Sequence, residues 1–302
     1  MLLQPPIQKI PIQEIPVNKK VKLFMKREDL IHPQISGNKY WKLFFNINQY
    51  LEKNPENPFV ITFGGAFSNH ISAVSAVGNL AKIPTLGMIR GEELQNKWCE
   101  NPTLAFAHQN GMNFRFVTRE EYRDKEKLTQ YLQKEFPEAL IVPEGGTNED
   151  AVNGVKMMLN DETKDFDYLC TAVGTGGTIA GILKFSEDNQ KVIGFKAVDD
   201  SSLENKIFEL TLKRNFDLID SSFGGYGKIK DENIRFINDF KERYGIPLEP
   251  IYTGKMMQKV FELIEEDYFP ENGRILCFHT GGLQGIEGAN LLLKKQNRKL
   301  II

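Results

Sequence analysis

Lys39 follows Ser36-Gly37-Asn38, where an apolar pattern of helical spacing begins, from Tyr40 to Tyr50. An amine there lies against the positive end of a helix, which disfavours its charged form. A neutral amine is what condensation with an aldehyde requires. The same segment is compatible with an ordinary surface lysine, and alone it does not decide. Ser68-Asn69-His70 sets a hydroxyl, an amide and an imidazole at another helix start, after Gly64-Gly65-Ala66-Phe67. It reads either as a ligand-binding cluster or as an N-cap, with Ser68 or Asn69 capping the turn that follows. Gly174-Thr175-Gly176-Gly177-Thr178 comes between an apolar strand and a helix. Glycines let backbone N–H groups approach a ligand closely, and a helix N-terminus favours an anion, typically a phosphate. A plain tight turn is the alternative. No Gly-Lys-Ser/Thr closes the loop as a Walker motif would, and only Asp199 or Asp200 would serve as the acid of a dinucleotide fingerprint.

The elements that must position these residues alternate. Strand-like runs at 59–63, 85–89 and 113–117 are followed by helical patterns at 69–81, 102–110 and 119–136. A second series starts near Ala139, with strands at 140–142, 168–173, 192–198 and 274–278. Its helices are expected at 149–159, 178–185, 234–244 and 256–267. Strand–helix alternation predicts an α/β fold with parallel sheets covered by helices. Two such series predict two lobes with a ligand in the crevice between them.

In order along the chain stand Lys26-Arg27-Glu28-Asp29, Ser36-Gly37-Asn38-Lys39, Ser68-Asn69-His70, Glu144-Gly145-Gly146-Thr147-Asn148, Gly174-Thr175-Gly176-Gly177-Thr178, Tyr226-Gly227, Tyr252-Thr253-Gly254-Lys255 and His279-Thr280-Gly281-Gly282. With these motifs the sequence resembles the pyridoxal-phosphate enzymes of the tryptophan-synthase-β fold (fold type II). Within them it is similar to the 1-aminocyclopropane-1-carboxylate deaminase and D-cysteine desulfhydrase family, from about Val21 to Ile286. The resemblance implies a large cofactor-binding domain of residues 1–39 and 140–302 and a small domain of 40–139. It implies pyridoxal 5'-phosphate as cofactor, carried on Lys39, with Gly174, Thr175, Gly176, Gly177 and Thr178 around its phosphate and Asn69 at its ring hydroxyl. Ser68, with Asn69 and His70, would hold the substrate carboxylate. Tyr226 and Tyr252 match two active-site tyrosines, and Thr253 matches the position facing the ring nitrogen. Lys42 falls outside the Gly-Asn-Lys match and is expected to be a routine helix-surface lysine.

Two departures bear on the substrate. Thr253 stands where the deaminases carry glutamate, and His70 follows Ser-Asn where they carry glutamine. A threonine hydroxyl donating to an unprotonated ring nitrogen would leave a weaker electron sink. Both differences favour β-elimination from a D-amino acid such as D-cysteine, giving pyruvate and ammonia, over opening a cyclopropane. A racemase, a dehydratase and an inert cofactor-binding protein are the further alternatives on this fold. The chain is shorter than the family leads one to expect, with trimming expected after Lys82 and between Asp199 and Phe223.

A formal net charge of -2 gives no long-range attraction for nucleic acid or an anionic membrane. No stretch reaches the ~20 apolar residues of a bilayer span. Met1 to Pro16 lacks the basic head and continuous apolar run of a secretory signal. Cys170 and Cys277 lie inside apolar runs, where a reduced thiol packs as a small hydrophobe, and no metal-binding spacing occurs. These features predict a cytoplasmic protein with no metal, and the resemblance implies an enzyme acting on a small amino acid. A homodimer is expected from the resemblance alone.

Overall fold

Parallel strands whose apolar runs are buried on both faces need helices above and below them. The computed structural model, which describes residues 3–6, 9–53 and 55–302, has this arrangement twice. Met1, Leu2, Ile7 and Gln8, in the stretch read as lacking a secretory signal, and Asn54 lie outside the described residues. In chain order the elements are β1 (Ile12–Ile15), β2 (Lys22–Lys26), α1 (Asn38–Glu52), β3 (Val60–Gly64), α2 (Asn69–Ala81), β4 (Thr85–Arg90), α3 (Pro102–Gln109), β5 (Met112–Val117), α4 (Lys125–Glu135) and β6 (Leu140–Val142). There follow α5 (Glu149–Val155), β7 (Tyr168–Val173), α6 (Gly177–Phe185), β8 (Lys191–Lys196), α7 (Leu203–Thr211), β9 (Phe216–Asp220), α8 (Asp231–Tyr244), α9 (Thr253–Glu265), β10 (Arg274–Phe278) and α10 (Gly285–Lys295).

The larger sheet has the order β1-β2-β10-β7-β8-β9, and the smaller β5-β4-β3-β6. Only β1 is antiparallel to its neighbour. All five residues of β3 are buried. Cys277 of β10 pairs with Cys170 of β7 in the middle of the larger sheet, both wholly buried. Burial pushes the Cys170 thiol well above its ordinary pKa, so it packs as the small apolar group expected of it. Because β6 pairs with β3, the smaller sheet includes Leu140–Val142. Among the described residues no helix is long and apolar enough to cross a membrane.

Several element boundaries differ from expectation. The charged helix expected from Arg119 starts at Lys125, because Asp124 caps it by accepting from the Lys127 N–H at 3.0 Å. The helix expected to reach Leu159 ends at Val155, and 156–158 tighten into a 3-10 turn. The strands β1, β2 and β9 and the helices α7 and α10 stand outside the alternation read from the sequence. β1 is bracketed by Pro11 and Pro16, which suits an edge strand that few patterns announce.

Candidate active site

Lys39 owes its place to a buried ionic layer beneath it. Lys26 and Arg27 pair with Glu28 and Asp29 at 3.1 and 2.8 Å, all of them buried. Glu28 also accepts from the Trp41 indole at 2.8 Å, and its carbonyl accepts from the Gly37 N–H at 3.0 Å. This fastens the end of β2 to the first turn of α1. Gly37 has φ +67°, and a Cβ there would lie 2.0 Å from the Thr280 carbonyl oxygen, so only glycine fits. The Lys39 amine donates to Asn38 Oδ1 at 3.3 Å, and Asn38 Nδ2 donates to Thr178 Oγ1 at 2.6 Å. Two motifs 140 residues apart are thereby joined. Burial lowers the Lys39 pKa to about 8, against the opposing pull of the Glu249 carboxylate.

At the glycine loop, Gly176 has φ +88° and α6 begins at Gly177. A Cβ on Gly177 would lie 2.7 Å from Thr147 Oγ1 and 2.9 Å from Lys42 Nζ. Lys42 is therefore no surface lysine: it is 2% exposed and aimed at the loop. Its ammonium donates to the Gly145 carbonyl at 2.9 Å and to Thr147 Oγ1 at 3.3 Å. It makes no ion pair among the described residues, and burial, with Lys39 nearby, holds its pKa well below the ordinary lysine value. Lys39 and Lys42 are three residues apart on one helix, a spacing that places them on one face and was the available signal. Thr175 is exposed at the loop's rim, its hydroxyl 2.6 Å from that of Thr147.

Ser68 is the N-cap of α2, accepting from the Ile71 N–H at 3.3 Å, so the capping expectation is met and the residue still faces the cleft, half-buried. Asn69 Oδ1 accepts from Gln284 at 3.0 Å, and its Nδ2 has no acceptor among the described residues. His70 lies behind both, 2% exposed, with Nε2 2.8 Å from Thr62 Oγ1. It supports the loop from inside rather than lining the cleft. The Thr62 hydroxyl also donates to the Val142 carbonyl at 2.9 Å, which ties His70 to the end of β6. Burial keeps the imidazole neutral.

Tyr252 and Tyr226 stand with hydroxyls 3.2 Å apart, and the Tyr252 ring lies against Gly174. Burial, then Tyr226, pushes the Tyr252 phenol well above its ordinary pKa, so it keeps its proton. Thr253 has no exposed surface. Its hydroxyl donates to Glu249 Oε1 and accepts from the Glu249 N–H, both at 3.2 Å. The hydroxyl expected to donate to a ring nitrogen is thus taken up within the protein. Glu249, which no motif singled out, caps α9 by accepting from the N–H groups of Ile251, Tyr252 and Thr253 at 2.8, 2.7 and 2.5 Å. A Cβ on Gly282 would touch both Glu249 Cγ at 3.3 Å and Asn69 Nδ2 at 2.4 Å, so this carboxylate comes close to the cleft residues.

Comparison with known proteins agrees with this geometry. The family described as pyridoxal-phosphate dependent enzyme matches residues 3–281. The chain belongs to this family. A bifunctional D-cysteine desulfhydrase/1-aminocyclopropane-1-carboxylate deaminase of Arabidopsis thaliana mitochondria is 30% identical, over 87% of this chain and 73% of that one. A solved structure described as an ACC deaminase homologue superposes with a TM-score of 0.78 at 27% identity, covering 96% of each chain. An O-acetylserine dependent cystathionine β-synthase from Helicobacter pylori shares the fold, with a TM-score of 0.67 at 13% identity over 94% and 97% of the two chains. The protein is a fold type II pyridoxal-phosphate enzyme, as the resemblance implied.

The residues present fit this cofactor. An aldehyde needs a neutral amine, and Lys39, at about 8, reaches that state near physiological pH. A phosphate dianion needs clustered N–H groups and a cation. The Gly174–Thr178 turn opens a helix, and the Lys42 amine beside it makes no ion pair among the described residues, so a phosphate there would favour its protonated form.

Proposed function

We propose that the enzyme is a lyase removing the Cα proton and a β-substituent from a small amino acid, D-cysteine foremost, to give pyruvate and ammonia. On this reading Lys39 carries the cofactor and then serves as base at Cα, where proximity supplies much of the rate. Gly174 to Thr178 and Lys42 hold the phosphate, and Asn69 Nδ2 donates to the ring hydroxyl. Ser68 and the N–H groups beside it hold the substrate carboxylate. Pyridoxal phosphate, when bound, supplies the sink for the electron pair left at Cα.

The observation that carries the reading is the tyrosine pair beside the glycine loop. The Tyr252 phenol, kept protonated by burial and linked to Tyr226 at 3.2 Å, suits proton donation to a departing thiolate. Deaminase activity is the second reading, and Glu249 favours it. With its proton committed to that carboxylate, Thr253 is no donor to an unprotonated nitrogen, and a negative charge nearby favours the stronger, protonated sink. Both activities appear in the name of the Arabidopsis relative. A cytoplasmic homodimer belongs to the same proposal.

A panel of D- and L-amino acids with 1-aminocyclopropane-1-carboxylate, scored for keto-acid release, separates the two. Pyruvate from D-cysteine or β-chloro-D-alanine, with little 2-oxobutanoate from the cyclopropane acid, is the expected result. Efficient 2-oxobutanoate release with no elimination from any D-amino acid overturns it.

A further inference from the structure

One cation beside the loop that leads to Ser68 has no role in the chemistry above. Arg90 is the last residue of β4. Ile89 pairs with Gly64 of β3, so Arg90 comes abreast of Gly65, the start of the loop that leads to Ser68. A Cβ on Gly65 would lie 3.3 Å from an Arg90 terminal nitrogen. The guanidinium is held over the Tyr122 ring, its Cζ 5.5 Å from the centroid.

The acids that could neutralise it are engaged elsewhere. Glu93 pairs with Arg119 at 2.5 Å. Glu144 pairs with Lys125 at 3.1 Å and accepts from the Tyr122 hydroxyl at 2.9 Å. Lys125 stands 4.8 Å from the centroid of the same Tyr122 ring, and its charge is the one that Glu144 answers. Arg90 makes no ion pair among the described residues. Burial first, then Glu144 and last Tyr226 push the Tyr122 phenol above its ordinary pKa, so the tyrosines of the larger lobe lie on the same side as this patch. In a parallel α/β sheet the ends of the strands are where ligands bind. A planar guanidinium with free donors there matches a carboxylate, sulfonate or phosphate.

We propose that Arg90 binds an anionic group on the substrate side chain, so that amino acids whose β-substituent is an acid are accepted beside D-cysteine. The inference rests on the elimination reading and extends its substrate class. With O-phosphoserine the Cα–H and Cβ–O bonds break. The proton passes to the Lys39 amine, the Cα electron pair forms the Cα=Cβ bond, and inorganic phosphate leaves with the C–O pair. Water then hydrolyses the enamine to pyruvate and ammonia, with no oxidant or reductant involved.

The test compares O-phosphoserine with β-chloroalanine, both enantiomers of each, in the parent, Arg90→Gln and Arg90→Lys holoenzymes. Phosphate release should match pyruvate in the parent. Arg90→Gln should lower the kcat/KM ratio of O-phosphoserine to β-chloroalanine by at least about tenfold, mainly through KM, the loss of one charged hydrogen-bonded contact. Arg90→Lys should recover part of it. A ratio unmoved in Arg90→Gln, or β-chloroalanine consumed with no phosphate released from O-phosphoserine, overturns the assignment while leaving elimination intact. Consumption of neither compound overturns the elimination reading and this inference with it.

Discussion

Burial lowers the pKa of both Lys39 and Lys42, but their surroundings differ in what they provide. Lys39 has Glu249 to moderate the shift, whereas Lys42 has only neutral oxygens. Because the folded pKa of Lys39 lies below its unfolded value, its contribution to stability is fully present above about pH 10.5 and falls as pH drops towards about 8. Only the neutral amine condenses with an aldehyde. Capture of added pyridoxal phosphate by cofactor-free protein should therefore quicken about tenfold per unit up to about pH 8 and level off above it. Stopped-flow absorbance checks this, and Glu249→Gln should move the plateau to lower pH by removing the charge that favours the ammonium. A plateau near the ordinary lysine value would contradict it. Lys42→Met should act in two directions: the cofactor-free protein melts higher, because an unpaired buried amine is gone. Cofactor affinity falls about ten- to a hundredfold, the worth of a charge-assisted hydrogen bond. For Lys42 the three-residue spacing from Lys39 was the one signal in the sequence, and for Glu249 there was none, since capping across four residues is a property of the packed chain. Lys39, Ser68 and Asn69 stand out in the sequence because their motifs mark helix starts, and both helices do begin there.

At the scale of elements, helix starts carry the polar groups and glycines let them meet. The 69–81 helix and the 274–278 strand could be read to the residue, since Ser68 announces one and an unbroken apolar run the other. Short or edge elements could not: β1 offers four residues between prolines, and α7 and β9 follow a stretch rich in charge. His70, expected with Ser68 and Asn69 at the substrate carboxylate, is buried, because a helix start does not reveal which of three consecutive residues turns inward. Gly177→Val tests the loop as an element. Gly177 sits at the start of α6, so helix geometry itself tolerates a side chain there, but a Cβ would crowd Thr147 and Lys42 at 2.7 and 2.9 Å. Equilibrium dialysis should show cofactor retention weakened at least about tenfold, with far-ultraviolet circular dichroism preserved. Retention equal to the parent would misplace the phosphate.

For the whole molecule, the alternation of strands and helices anticipated two parallel sheets, and the order of motifs anticipated that distant turns converge. What joins them is tertiary: Asn38 reaching Thr178, Gly37 lying against Thr280, and the Tyr252 ring against Gly174. The larger sheet brings the glycine loop and the Tyr252 helix together, and the smaller brings Ser68, Asn69 and Arg90 to the opposite side. The central claim is that this convergence makes Lys39, and no other lysine, the residue that binds the cofactor covalently. Lys42 is the stringent control, since it lies one helical turn from the half-buried Lys39, is itself buried, and is aimed at the glycine loop. Borohydride reduction of the holoenzyme followed by peptide mapping decides between them. The account predicts one pyridoxyl label per chain, on Lys39, and none in Lys39→Ala. A label on Lys42, or no covalent label in a protein that binds the cofactor, would contradict it.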